Sequence, residues 1–321
     1  MSERFPAVPL PAAAARPPRR RFRIDRLPGR LAPYALVLPA AVAIGAVLGY
    51  PLYLLVKLSF EKYDLPQVIA HRGVWVGLAN YTQILGDSEF WRVVGRTVAF
   101  TAVNVGLTMV LGTLLALLLA ALGRWLRLML TTGLVLVWAM PVVVSVNIWL
   151  WMLDYEFGVA NWTLDKLGLH QFKHHDWFVN PWSGWAVITA VVVWGALPFV
   201  AITLYAGLTQ VPGELVEAAE IDGASRWNVF RDITFPILRP IFIILTSLSI
   251  IWDFQVFNQV WLMRDQRPTE DYYLMSVYSF VESFKISHYG LGSAIAVLMV
   301  LTMLVIGFVY VRQLVRLGEV Q

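Results

Sequence analysis

The chain has 321 residues, of which 58% are hydrophobic and only 14% charged, with a net charge of +4 and no cysteine. Soluble domains lie near roughly 45–50% apolar and 25% charged, so this composition excludes an ordinary water-soluble globule. The lack of thiols excludes disulfide frameworks and thiol catalysis.

Residues 1–31 carry Arg16, Arg19, Arg20, Arg21, Arg23, Arg26 and Arg30 among prolines and alanines, directly before the first apolar run. They read as a disordered basic tail that sets membrane topology; a nucleic-acid arm is the other reading, and the adjoining membrane helix favours topology. The apolar run that follows exceeds the about 7–15 residues of a signal peptide.

Six charge-poor runs reach the about 20 helical residues that cross a hydrocarbon core of about 30 Å: residues 32–56, 97–122, 128–153, 182–208, 237–262 and 291–311. The expected organisation is a tail (1–31), a first transmembrane helix with an extracytoplasmic loop (32–92), and a five-helix core (93–321). The loops are too short for a soluble domain of about 50 residues or more, so any energy-converting domain belongs to another chain. With the tail in the cytoplasm, 15 of the 25 Lys and Arg residues fall inside, which makes both termini cytoplasmic.

Outside then lie residues 155–181 and 264–289, with Trp177, Trp182 and Trp185 read as an interfacial belt. Pro141 and Pro198 are expected to kink the third and fourth helices. Asn104, Asn147, Trp149, Trp151, Trp194 and Tyr205 are minor candidates for solute contact.

Between the fourth and fifth helices, residues 211–240 form a patterned cytoplasmic loop, longer than the about 2–8 residues a helix connector needs. Pro212 suits the first turn of a short helix, Glu214 and Glu217 complement its positive end, and Gly223 suits its stop. Ser225 suits the cap of a second short helix with Trp227, Phe230 and Ile233 or Thr234 near one face. Pro236 and Pro240 mark the return to the membrane.

The fifth helix is the richest in polar groups. At 100° per residue, Gln255, Asn258 and Gln259 share an arc while Asp253 points the other way with Ser249 and Thr246. Solute contact by Asp253, Gln255, Asn258 or Gln259, with Trp252, Phe257 or Trp261 offering ring faces, is the expected pathway.

At residues 217–236 the sequence resembles the membrane subunits of ATP-binding-cassette importers, whose cytoplasmic loop follows the EAA pattern E-A-A-x3-G-x9-I-x-L-P. Glu217, Ala218, Ala219, Gly223, Ile233 and Pro236 occupy those places, with Phe235 where Leu is usual. Asp222, Ala224, Phe230 and Pro240 extend the match to carbohydrate-type members, as do Tyr50-Pro51, Gly77-Leu78-Ala79-Asn80-Tyr81 and Phe257-Asn258-Gln259-Val260-Trp261. After the fifth helix a Gly-Gly-Pro turn is common in that branch, and this chain instead reads Arg264-Asp265-Gln266-Arg267-Pro268.

The resemblance implies an all-α type I importer fold with six transmembrane helices and a cytoplasmic helix-turn-helix, in the plasma membrane. It implies that Glu217, Ala218, Ala219, Asp222, Gly223, Arg226, Phe230, Ile233 and Pro236 couple to an ATPase. The implied partners are a second homologous permease subunit, two copies of an ATP-binding-cassette ATPase carrying ATP and Mg, and an extracytoplasmic solute-binding protein. The implied task is ATP-driven import of a sugar by alternating access.

His174-His175-Asp176, with His170 nearby, lacks the spacing of a strong metal site. No phosphate-cradling Gly-rich loop and no nucleophile–base set is recognisable, so neither a cofactor nor a catalytic residue is assigned to this chain. An ion-coupled secondary transporter is the alternative, and it should show a self-sufficient ion site or repeated halves.

Overall fold

The structure, a computed structural model, describes residues 32–318; the basic tail at 1–31 lies outside them. The chain divides into two units between Tyr53 and Leu54. In the first, α1 (Ala32–Ile44) runs through a π turn (Gly45–Gly49) into α2 (Tyr50–Ser59), which continues into the second unit. A proline ring clashes with the carbonyl four residues before it, and a widened turn just ahead of Pro51 relieves that clash without ending the helix. Leu36, Val37 and Leu48 are exposed, which gives this helix an apolar surface suited to lipid.

The second unit opens with β1 (Glu61–Lys62), α3 (Leu65–Ile69) and β2 (Val74–Trp75), an antiparallel pair with Glu61 opposite Trp75. Helix α4 (Ala79–Gly86) anchors the pair, because the buried Asn80 amide donates to the carbonyls of Ser59 (2.9 Å) and Glu61 (3.0 Å).

Next come α5 (Ser88–Ala121), α6 (Arg124–Trp138), α7 (Val142–Met152), α8 (Val159–Lys166) and α9 (Pro181–Leu208). The pairing of α5 with α9 is the spine of the bundle. Along α5 the buried residues Val93, Thr97, Phe100, Asn104, Thr108 and Gly112 recur at helical spacing. Apolar burial drives little association in lipid, so close approach of the two backbones where side chains are small is what holds this seam. At Gly112 an added Cβ would stand 2.6 Å from Val200 of α9. The end of α5 is closed by Arg127, which donates to the carbonyls of Leu119 (2.8 Å) and Leu122 (2.6 Å), a cation at the negative helix end.

The remaining helices are α10 (Gly213–Ile221), α11 (Arg226–Val229), α12 (Phe235–Phe254), α13 (Asn258–Met263), α14 (Met275–Phe280) and α15 (Tyr289–Gly318). Among the described residues, five helices are long and apolar enough to cross a membrane, or six if the bent pair α6–α7 forms one span. The third expected span is thus not straight. It turns by 103° around Pro141, which lacks an N–H and pushes the residue before it out of helical geometry. Pro198, by contrast, lies inside an unbroken α9.

The fifth expected span (237–262) is also interrupted, between Phe254 and Asn258. Neither proline nor glycine lies there; the Gln255 amide instead donates to the Ile251 carbonyl (2.9 Å), satisfying one of the carbonyls a helix end leaves open.

Of the three tryptophans read as a belt, only Trp182 is exposed, at 83%. Trp177 donates to Asn161 (2.8 Å), and Trp185 donates to the Asp271 carbonyl (3.1 Å) and stacks on Tyr272. Trp177 thus ties the segment before α9 to α8, and Trp185 ties α9 to the segment after α13. Arg264 adds to that junction with its guanidinium 4.4 Å from the Tyr272 ring and 5.3 Å from that of Phe178.

Candidate functional site: an exposed loop and a cavity at the helix breaks

Between α9 and α12, Pro212 caps α10 from just outside, one place before the first turn expected for it. Gly223 adopts φ +84°, the Gly223 N–H meets the Glu220 carbonyl (3.1 Å), and the Ala224 N–H meets that of Ala219 (2.9 Å). This pair of bonds is the Schellman stop, and the left-handed residue it requires is cheapest as glycine. The Ser225 hydroxyl accepts from the Asn228 N–H (3.3 Å), as expected of a cap.

The second short helix does not end as expected. From Ser225 the chain runs through α11 and a π turn (Phe230–Thr234) into α12, so that one helical body of 29 residues extends from Arg226 to Phe254. Pro236 and Pro240 mark no turn: the π turn ahead of Pro236 frees the carbonyl its ring would strike, as before Pro51. Along this body Trp227 stacks on Phe230 (5.9 Å), Phe230 meets Phe235 (6.3 Å) and Phe235 meets Phe242 (5.1 Å), an aromatic ladder from loop to span.

Glu217, Ala218, Asp222, Gly223, Arg226 and Pro236 are exposed, while Ala219, Phe230 and Ile233 are half-buried. Arg231 pairs with Asp232 at 2.8 and 3.0 Å, so it does not hold Glu217 or Asp222, and among the described residues neither of those acids forms an ion pair. Leu215 (48%), Ile221 (86%) and Trp227 (65%) leave an apolar surface around them. Sequence reasoning named Trp227 for helical pattern only and missed Ile221, because exposure of an apolar side chain is invisible until its neighbours are placed.

At the other end of the same helical body lies a cavity of about 230 Å³. It forms where both helix breaks meet the middle of α9: Trp138 and Ser145 flank the α6–α7 bend, Trp194 and Phe199 come from α9, and Ser249, Trp252 and Asp253 come from α12 with Gln259 from α13. Its wall is largely aromatic: Phe199 packs on Trp252 (5.2 Å) and Trp138 (6.4 Å), and Trp194 is backed by Trp149 (6.0 Å).

Asp253 is 4% exposed, and among the described residues its Oδ2 has no hydrogen-bond partner. An unpaired carboxylate is costly to bury even near the end of a membrane helix, so one beside a cavity marks a candidate site.

The helical-wheel separation of Asp253 from Gln259 fails, because the interruption at 255–257 resets the rotation and brings both to one cavity. Gln255 and Asn258 are exposed and do not line it. Phe257 and Trp261 do not line it either: they stack on each other (5.4 Å) and on Phe280 (5.0 and 4.8 Å). Asn104 and Asn147 spend their amides on carbonyls one turn back, and Tyr205 accepts from Arg127 (2.9 Å). Of the residues named from sequence, Trp194, Trp252, Asp253 and Gln259 line the cavity and Pro141 bends the span beside it; convergence of four segments on one space has no local signal.

The histidines separate. His170 bonds Asp165 (2.8 Å), which holds that carboxyl below its ordinary range; His174 meets the Tyr155 carbonyl, and His175 packs edge-on against Trp177.

Residues 109–317 match the family described as the binding-protein-dependent transport system inner membrane component. The diacetylchitobiose uptake system permease protein DasB of Streptomyces coelicolor is 44% identical over 299 residues, covering 93% of this chain and 91% of that protein. The trehalose/maltose transport system permease protein MalF of Thermococcus litoralis is 34% identical over 238 residues, 74% of this chain and 79% of that one. In fold, the chain is similar to a bacterial ABC transporter involved in the import of the acidic polysaccharide alginate, with TM-score 0.75 at 21% identity, over 88% of this chain and 94% of that one.

Proposed function

We propose, from the fact that this chain belongs to the family of inner membrane components of binding-protein-dependent transport systems, that it passes a sugar or short oligosaccharide through the membrane, driven by an ATPase docked on the loop at 211–240. The chain is a multi-pass membrane protein and a transport subunit, not an enzyme. The observation that carries the mechanism is the single helical body from Arg226 to Phe254, with the loop at one end and Asp253 at the other.

A helix of 29 residues is about 43 Å long. It resists bending, so displacement of its loop end appears at the cavity end as rotation or translation. ATP and Mg bind on the partner, and closure of two ATPase copies moves the paired loops of this chain and a homologous permease subunit. Ala218 and Ala219 let the partner's surface approach α10 closely. Glu217 and Asp222 offer unpaired acceptors, and Leu215, Ile221 and Trp227 bury their apolar surface on it.

Gly223 holds the angle between α10 and the lever, and Arg226, Phe230, Ile233 and Pro236 tie the lever's root to the loop. The loop end then faces the cytoplasm, in the plasma membrane, with both chain ends on that side and an extracytoplasmic binding protein on the other. Residues 93–321 act as the permease core, and 32–92 add the first span.

A saccharide presents apolar C–H faces and a rim of hydroxyls. The tryptophan wall suits the faces, and Asp253, Gln259, Ser145 and Ser249 suit the rim. At about 230 Å³ the cavity is smaller than the about 300–1,000 Å³ of ordinary ligand pockets, so it must widen to take a whole disaccharide, and movement of the lever widens it. The relatives named for diacetylchitobiose and for trehalose and maltose make neutral oligosaccharides the class to test first.

Ile221→Asp tests the docking. Full burial of one Ile side chain is worth about 1.5–3 kcal/mol, so the variant should weaken ATPase retention at least about tenfold and abolish uptake while membrane insertion is unchanged. Retention and uptake at the wild-type level would sink the docking reading.

A further inference from the structure

We infer that Asp253 is the charge filter of the cavity, favouring saccharides that present hydroxyl or ammonium donors and disfavouring acidic saccharides. This inference rests on reading the cavity as the solute site and adds to it the charge of the solute.

Asp253 is the one ionisable residue among those that line the cavity. It is 4% exposed, and its Oδ2 is buried without a donor. No described Lys, Arg or His lies within ion-pair distance of it. The two helix breaks bring the carboxyl ends of α6 and α12 and the amino ends of α7 and α13 to the same place. Those opposed partial charges offset one another, which leaves Asp253 as the group in the lining able to carry a full charge.

A buried carboxylate oxygen without a partner gains most from a donor that arrives with the solute, and an ammonium gives the strongest such bond. A second carboxylate in the same low-dielectric space meets repulsion and finds no cation to offset its own desolvation. The remaining lining groups, Ser145, Ser249 and Gln259, are neutral and do not sort solutes by charge.

The experiment uses the intact assembly in nanodiscs without the binding protein, so that the binding protein's own selectivity plays no part. It is titrated with three disaccharides of one length: neutral diacetylchitobiose, its de-acetylated diamine, and a diuronate. For wild type, the diuronate should bind at least about tenfold more weakly than the neutral probe, and the diamine should bind more tightly. In Asp253→Asn the acidic and neutral probes should come within about threefold of each other and the diamine's advantage should vanish. An unchanged acidic-to-neutral ratio would overturn the filter.

Asp253→Ser repeats the test should the amide perturb folding, and co-purification of the ATPase reports assembly for both variants. Gly195→Phe separates the two readings. Gly195 lines the cavity and a Cβ there meets nothing within 4 Å, so a larger side chain has room to start at this position and takes up cavity space. Loss of neutral-probe binding in Gly195→Phe with an unchanged charge ratio in Asp253→Asn rejects the filter alone. Retained neutral-probe binding in Gly195→Phe rejects the cavity itself.

Discussion

Asp265 and Gln266 hold left-handed backbone, with φ of 50° and 59°, within the stretch 264–268 that stands where the resembling branch commonly has a Gly-Gly-Pro turn. A side chain there costs about 1–2 kcal/mol against the right-handed form, part of which glycine returns through its larger unfolded-state entropy. Gln266→Gly should therefore raise the unfolding free energy by up to about 1 kcal/mol, seen as a small rise in Tm of the detergent-solubilised chain.

Gly223 is the converse case. Gly223→Ala at φ +84° should destabilise the loop by about 1 kcal/mol and, by changing the angle between α10 and α11, lower uptake more than it lowers ATPase binding. Both residues were legible in sequence, one as a helix stop and one as a departure from a pattern, because turn chemistry is local. Asp253 was legible as an oddity but not in its direction, since its neighbours arrive from α6, α7 and α9.

Among the elements, α12 carries the mechanism, and its properties divide into those a sequence announces and those it hides. Its apolar length is announced. Its continuity with α11 is hidden, because Pro236 and Pro240 ordinarily argue for a stop and only a widened turn reconciles them with a helix. Its end at Phe254 is hidden as well, where a glutamine side chain caps the helix in place of a glycine.

If the stiffness of α12 transmits the stroke, Ile244→Gly with Leu248→Gly, each costing about 1 kcal/mol of helix propensity, should leave ATP hydrolysis running and reduce sugar moved per ATP. Equal loss of both activities would point to misassembly instead of a softened lever.

At the scale of the molecule, composition alone announces the membrane, and the loop pattern announces the drive. The solute path is assembled from pieces that look unrelated in one dimension: a proline-bent third span, an unbroken fourth span with tryptophan and glycine at its middle, and a fifth span that breaks without a breaker residue.

The central claim is that ATP acting at the loop opens the cavity at the far end of one helix. The absence of cysteine from the chain makes a single introduced thiol unambiguous. Ser249→Cys places that thiol on α12 at the cavity, at a position only 3% exposed. In the reconstituted assembly, a membrane-impermeant thiol reagent should label Cys at this position from one face without nucleotide and from the opposite face when the ATPase is trapped with ATP. Labelling that ignores nucleotide, or that follows an imposed ion gradient instead, would contradict the account.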